Sequence, residues 1–363
     1  MTEHAATPRG PAPGLIRSPA SATSGPFTDM TFVQPQAQWI PVLDALPYAN
    51  SLGRGQESLR ELPQWLELLR SQRESLAAMI LAHGGLLLRG FPVNSAEEFE
   101  AVAAEFLPVQ ASYIGGVSRR SRVHNNVYNT TEAPSDVVIE QHLEATHTPR
   151  PPGRIVFNCQ IAPQHGGETP LASFVELYDA LPAEVTQALE GERVRYTRAL
   201  IDRESLMYRL LPHKVTQSLA LSWQEVSGCD DLQDARKLLE REGYEVDVAG
   251  PRRLRTRCCQ PVISEHPYTG RKRWYLSDQI TRALPWHARL ARRALRSRLG
   301  MEFALESGRP FAPGVLDLVH RTLARIRFQF PWQQGDVLVL DNHQMSHGRN
   351  TFAGDRLILT AFG

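Results

Sequence analysis

Three side chains have the types and spacing to hold a metal. His142 and Glu144 stand one residue apart in the run Glu140-Gln141-His142-Leu143-Glu144, and His347 lies far downstream, closing Asp341-Asn342-His343-Gln344-Met345-Ser346-His347. Two imidazoles and one carboxylate can occupy one face of an octahedral ion and leave three positions open, the arrangement with which non-haem Fe(II) activates O2. Side chains alternate along a strand, so His-x-Glu spacing puts both donors on the same side. The third donor then comes from a strand remote in sequence, which requires a β-fold that joins the two regions. His-x-Glu alone is commonplace, and its weight comes from its surroundings.

Arg356 follows His347 by nine residues, at the start of the last apolar run. A dicarboxylate co-substrate bound to iron through its oxo-acid end needs a cation at its far carboxylate, and arginine offers two parallel hydrogen bonds there. Thr169, after Gly166-Gly167-Glu168, could donate its hydroxyl to the same carboxylate, or be an ordinary strand threonine after a turn. Arg349 shares a strand face with His347. It either neutralises substrate or co-substrate charge or supports the site through an ion pair. Asn125, Asn126, Tyr128 and Thr131 precede the His-x-Glu pair and are candidate substrate contacts, or else turn residues satisfying backbone groups. His147 and His165 fall outside the His-x-Glu register and read as non-ligands.

These residues need elements to position them. Leucine and tryptophan spacing predicts a helix over 57–83, ended by Gly84-Gly85, then a short buried strand from Leu86 to Gly90. Asn94-Ser95 followed by Glu97 and Glu98 predicts a helix start. Arg154 to Ile161, Thr169 to Ala172, Val337 to Leu340 and Arg356 to Phe362 read as strands, with turns at Gly166-Gly167 and Gly335-Asp336. Helical patterns over Val175 to Leu189, Leu232 to Glu242 and Leu316 to Ile326 predict a helical and loop insertion, about 173–330, between two halves of a β core.

The 363 residues are 42% hydrophobic and 22% charged, with net charge +1 and mean hydropathy -0.31, so bulk charge names no partner and the composition is that of an ordinary globular protein. No apolar run is long enough to span a membrane, and the Ala, Pro, Ser, Thr and Gly of residues 1–30 predict a disordered leader rather than a signal peptide. Residues 31–363 then form a single domain. Cys159, Cys229, Cys258 and Cys259 match no zinc or redox motif and read as free thiols in a reducing cytoplasm. Residues 252–298 carry thirteen Lys and Arg against Glu265 and Asp278. That stretch reads either as a solvated face or as a docking face for an acidic carrier-protein domain, with Arg289, Arg292, Arg293, Arg296 and Arg298 on a helix. No nucleic-acid motif accompanies the charge.

His142-x-Glu144, Gly166-Gly167-Glu168-Thr169-Pro170-Leu171-Ala172 and the run from Gly335 through His347-Gly348-Arg349-Asn350 to Arg356 together resemble the taurine-dioxygenase-like superfamily of Fe(II)/2-oxoglutarate oxygenases. The syringomycin-biosynthesis-type branch is the nearer resemblance, supported by Val127 to Pro134. The chain departs from that branch at Thr351, where proline is usual, and after Trp274, where Tyr275-Leu276-Ser277 replaces Phe-Asn-Gln in the region expected to touch substrate. The resemblance implies an α+β fold with a mainly β core: a double-stranded β-helix, or jelly roll, with flanking and inserted helices. It implies iron ligands His142, Glu144 and His347, and 2-oxoglutarate held by Arg356 with Thr169. It also implies oxidation of 2-oxoglutarate to succinate and CO2, coupled through O2 to hydroxylation of an amino acid, free or carrier-tethered, or a related metabolite in natural-product biosynthesis. Halogenating relatives carry a small residue at the carboxylate position, so Glu144 favours hydroxylation, with desaturation as the variant outcome. Two other classes stay open on the residues alone: a zinc hydrolase using the same donors, and a silent jelly-roll binding protein.

Overall fold

The apolar run from Val337 to Leu340 lies in the middle of a nine-stranded sheet. The computed structural model describes residues 15–17, 31–33, 40–45, 61–107, 121–130, 133–210, 221–276, 278 and 300–363. The sheet runs in the order Leu15–Arg17, Thr31–Val33, Ile40–Asp44, Gly85–Arg89, Val337–Asp341, Arg154–Ile161, Leu357–Phe362, Val127–Asn129 and Arg122–His124. A smaller sheet places Met345–Arg349 between Leu171–Ser173 and Ile139–His142. The two face each other across a core of Leu87, Ile155, Phe157, Leu338 and Leu340 on one side and Leu171 and Met345 on the other. This is the expected jelly roll, α+β in class with a mainly β core.

Both faces of the large sheet are buried, which is why its central strand is apolar at every position rather than at alternate ones. Leu86, Leu88, Val337 and Val339 look away from the small sheet and pack on Trp65, Leu69, Leu76, Ile80, Phe99 and Val102. The last six belong to helices Leu62–Ser71, Arg73–His83 and Ala96–Ala104. The single helix expected over 57–83 is two, broken at Gln72 (φ -110, ψ 13); residues 57–60 lie outside the described set. Ser71 turns its hydroxyl onto the Leu68 carbonyl at 2.7 Å, a local bond that competes with continued helix. Gly84 does end the second helix, at φ 78. Ser95 and Glu98 form the capping box that opens the next one. A bidentate pair that sequence did not reveal, Arg89 with Asp336 at 2.9 and 2.7 Å, fastens two adjacent strands of the large sheet at their ends.

Two expectations need correction. Within residues 1–30, Leu15–Arg17 is a strand paired with Thr31–Val33; three consecutive ladder partners outweigh the polar composition around them, and the rest of that stretch lies outside the described residues. The 173–330 insertion is not only helix and loop. It holds a four-stranded antiparallel sheet in the order Glu245–Val248, Arg253–Pro261, Arg193–Ile201 and Gly300–Leu305. Arg253, Arg255 and Arg257 alternate there with buried Leu254, Thr256 and Cys258, so a strand of period two read as a basic run. Its inner side, through Val194, Tyr196 and Met301, joins Phe174, Leu177, Val319 and Leu323 of helices Phe174–Ala180 and Val315–Ile326. Trp274, Tyr275 and Leu276 are buried in that same cluster, so the first two residues of the departure after Trp274 fall in packing, while Ser277 lies outside the described residues.

Candidate active site

The small sheet brings the three donors together. His142 ends its strand directly opposite His347 in the central strand, and the two rings lie 4.5 Å apart between centroids. One donor atom from each of His142, Glu144 and His347 lies within 4.8 Å of the others. The His142 Nδ1 side meets the Glu140 carbonyl at 2.8 Å, which leaves Nε2 as the atom facing Glu144, 3.9 Å from Oε2. His347 Nε2 is 3.5 Å from the same oxygen. Two imidazole nitrogens converging on one buried carboxylate fit a divalent metal.

Glu144 does not lie on the strand, as the alternation argument expected. The strand stops at His142, and Glu144 begins a turn whose next residue, Ala145, has φ 55. Its backbone is held from across the molecule: Asn342 Oδ1 accepts the Glu144 N–H at 2.7 Å, and Asn342 Nδ2 donates to the Glu144 carbonyl at 3.0 Å. Gly348, between His347 and Arg349, explains the close approach of the neighbouring strand, since a Cβ there would stand 2.6 Å from the Ile139 carbonyl oxygen.

A narrow cavity opens beside the two histidines, lined by Thr130, Thr169, Arg349, Arg356, Phe157 and Ile358 among others. Thr169 is buried and accepts a hydrogen bond from Trp332 Nε1 at 3.2 Å, which fixes its hydroxyl. Arg356 anchors Nε on the Gly167 carbonyl at 3.1 Å and sits over the Phe352 ring. Burial, and then the charge of Arg349, push its guanidinium down to about 10, still well above neutral, so it is a cation facing the cavity at pH 7. Among the described residues no carboxylate lies in ion-pair range of either arginine. Asp136 and Glu168 act on Arg349 and Arg356 only from longer range, so the lining beside the histidines is cationic.

Arg349 is neither in an ion pair nor directed wholly into the cavity. It donates to the carbonyls of Ala133, Pro134 and Val137 at 2.9, 2.6 and 2.8 Å. These groups form the loop that leads into the His142 strand. Asn125 and Asn126 are not brought to the site: both are anchored to Glu100 on helix Ala96–Ala104, in the turn of the edge hairpin. Tyr128 is a core residue packed on Phe362. Thr131 lies outside the described residues, and its neighbour Thr130, not singled out by sequence, lines the cavity. His147 packs edge-on against Tyr196, and His165 lies exposed in a two-residue strand; neither joins the triad. All four cysteines are free, and burial pushes Cys159 and Cys258 up to about 12, which makes them inert thiols.

The sequence profile of the taurine catabolism dioxygenase TauD, TfdA family matches residues 46–362. The chain belongs to the TauD/TfdA family. As such it is an Fe(II)- and 2-oxoglutarate-dependent dioxygenase, using Fe(II), 2-oxoglutarate and O2. That membership decides against the zinc hydrolase and the silent binding protein. The chain is 26% identical over 287 residues to the dapdiamide synthesis protein DdaC of Enterobacter agglomerans, covering 77% of this chain and 81% of the relative. It is 26% identical over 312 residues to a clavaminate synthase-like protein of Arabidopsis thaliana, covering 83% and 87%. Among solved structures, AAD-2 in complex with Mn(II) and N-oxalylglycine shares the fold at TM-score 0.50 and 15% identity, over 92% of this chain and 96% of that one. No helix among the described residues is long and apolar enough to cross a membrane.

Proposed function

We propose that this TauD/TfdA-family protein hydroxylates an unactivated C–H bond of an amino acid, free or carrier-tethered, or of a related small metabolite, in the biosynthesis of a natural product in the cytoplasm. His142, Glu144 and His347 hold the Fe(II). Arg356 binds the far carboxylate of 2-oxoglutarate, with the Thr169 hydroxyl donating beside it. The observation that carries this reading is the single cavity that joins the two histidines to Arg356 and Thr169. The similarity to a dapdiamide synthesis protein supports the substrate class.

Bound iron supplies the oxidising chemistry, coupled to conversion of 2-oxoglutarate to succinate and CO2. The chain's own residues supply orientation. Glu140 fixes the His142 ring so that Nε2 faces the metal. Glu144 contributes one negative charge and fills the position that an exogenous anion would otherwise take. Arg356, cationic and fixed by Gly167, sets the co-substrate's direction. Phe157, edge-on to His347 at 5.1 Å, and Ile358 give the cavity an apolar wall that keeps water from the reacting centre.

The carrier-bound form of substrate is proposed to dock on the inserted sheet. Arg253, Arg255 and Arg257 share a face with Arg193 and Arg195 of the neighbouring strand. Asp247 pairs with Arg257 and Glu306 with Arg193. Glu245, Asp247 and Glu302 share this face, but Arg195, Arg253 and Arg255 have no carboxylate in ion-pair range among the described residues and are the cations an acidic carrier domain would meet. The helix expected to carry Arg289, Arg292, Arg293, Arg296 and Arg298 lies outside the described residues.

The test is succinate release with Fe(II) and 2-oxoglutarate across a panel of free and carrier-loaded amino acids. One or more should stimulate succinate release above the background without substrate and gain one oxygen by mass. Arg253→Glu with Arg255→Glu should slow only the carrier-loaded substrate. Stimulation by no amino acid in either form would refute the substrate class, and equal effects on both forms would refute docking.

A further inference from the structure

We propose that Asn342 is the positioning residue for the carboxylate arm of the metal site. It rests on the proposed role of Glu144, and it concerns a side chain that touches no reactant. Asn342 lies in the tight turn between strands Val337–Asp341 and Met345–Arg349, a short step ahead of His347. It is 2% exposed. Its amide is used at both ends: Oδ1 accepts from the Glu144 N–H at 2.7 Å, while Nδ2 donates to the carbonyls of Glu144 at 3.0 Å and Pro152 at 2.7 Å.

The turn that carries it is itself fixed at every residue. Asp341 accepts from the His343 N–H at 2.9 Å, from Gln344 Nε2 at 3.0 Å and meets His266 Nε2 at 2.9 Å. The Asn342 N–H donates to Gly153 at 3.0 Å, and Gln344 Nε2 also reaches Leu81 at 2.8 Å. A rigid turn thus grips the Glu144 backbone while the strand leaving it carries His347. Two ligands remote in sequence are referred to one short segment.

The chain beyond Glu144 needs such a grip. Ala145 is the one non-glycine residue with positive φ among those described, at 55. An L-residue held there persists only where its surroundings over-determine it. Asn suits the position because one side chain must present an acceptor and two donors within one planar group. Asp would offer no donor, and Ala nothing.

The experiment uses the full chain and Co(II) as the probe metal, read by titration and by the visible absorption of the bound ion. Asn342→Ala and Asn342→Ser are compared with Glu144→Ala and with Ser222→Ala, which removes a helix cap remote from the triad. Both Asn342 variants should still melt cooperatively without metal and bind Co(II) on the order of 10–100-fold more weakly, the usual cost of losing an outer-shell partner. Their Co(II) bands should shift toward those of Glu144→Ala, and Ser222→Ala should keep wild-type affinity and bands. Wild-type affinity and spectrum in folded Asn342 variants would overturn the proposal. So would failure of both variants to fold without metal, which would make Asn342 a folding residue only. If Glu144→Ala itself kept full affinity, the ligand assignment would fall first; if it lost affinity and the Asn342 variants did not, only the positioning role would fail.

Discussion

Arg349 offers a sharp test because its two readings predict opposite signs. In one it neutralises the charge of a bound anion; in the other it fastens the loop ahead of His142. The structure shows three hydrogen bonds from a buried cation to the Ala133, Pro134 and Val137 carbonyls, at 2.9, 2.6 and 2.8 Å. Hydrogen bonds to a charged group are worth roughly 1.5–3 kcal/mol each. Against this stands the several kcal/mol cost of burying the ion, which Arg349→Met removes. The net expectation for Arg349→Met is a loss of roughly 2–4 kcal/mol in the metal-free, ligand-free protein, since three buried carbonyls lose their donors. Arg349→Lys keeps a charge but not the fork, and should fall between the two.

The assay is urea unfolding of metal-free wild type, Arg349→Met and Arg349→Lys, paired with the 2-oxoglutarate KM of each. A loop clamp gives lower midpoints in the order wild type, Lys, Met. A charge neutraliser gives the reverse in the free protein. Arg349 is the second cause, after burial, of the depressed Arg356, so deleting it would relieve like-charge repulsion and stabilise. An Arg349→Met protein as stable as wild type, with a KM raised by about 100-fold, would refute the clamp.

Arg356→Ala should raise the 2-oxoglutarate KM by about 100-fold or more, from the loss of two charge-assisted bonds, and an unchanged KM would disprove its assignment. Gly348→Ala should cost measurable stability and metal affinity together, because the added Cβ would press on the Ile139 carbonyl at 2.6 Å; calorimetry and a Co(II) titration would read both. His343 is pushed down to about 4, chiefly by burial, against about 6.5 when unfolded. The unfolded chain therefore takes up the proton first, and stability should fall as pH drops from about 6.5 to about 4. His343→Gln should flatten that part of the curve, and an identical pH profile would show that another group is responsible.

What could be read from the sequence follows from where the information is local. Val337 to Leu340 announces itself as a strand because burial on both faces leaves an unbroken apolar run, and Arg154 to Ile161 does so through its β-branched and aromatic residues. Gly84 and the Ser95 to Glu98 box mark helix ends because each condition involves residues within one turn. The donors were visible for a different reason: His, Glu and Arg at fixed offsets have few alternative uses when found together. The Arg253–Pro261 strand was hidden because its outward positions are arginines, and a run of arginines suggests solvent rather than a ladder. Asn125 and Asn126 were singled out through sequence nearness alone, whereas the hairpin turn ties them to Glu100 and neither lines the cavity beside His142.

The site's second layer was hidden for a deeper reason. Arg349 and Asn342 act almost entirely on carbonyls and an amide N–H, groups that every residue possesses. No residue type at position 133, 134 or 137 identifies an arginine's acceptor, and nothing in Glu144 identifies the amide that grips its backbone. Such contacts are chosen by the fold and not by the side-chain code. Both also originate in one strand–turn–strand segment, Val337 to Arg349, which crosses from the large sheet to the small one, supplies His347 directly, grips Glu144 through Asn342 and ties down the approach to His142 through Arg349. A metal face assembled from two distant segments can then keep its geometry when surrounding loops vary, because all three donors are referred to the same turn and the strand that leaves it. A substitution that shifts that turn should therefore disturb every ligand at once, whereas a change in the inserted sheet should leave the metal site intact.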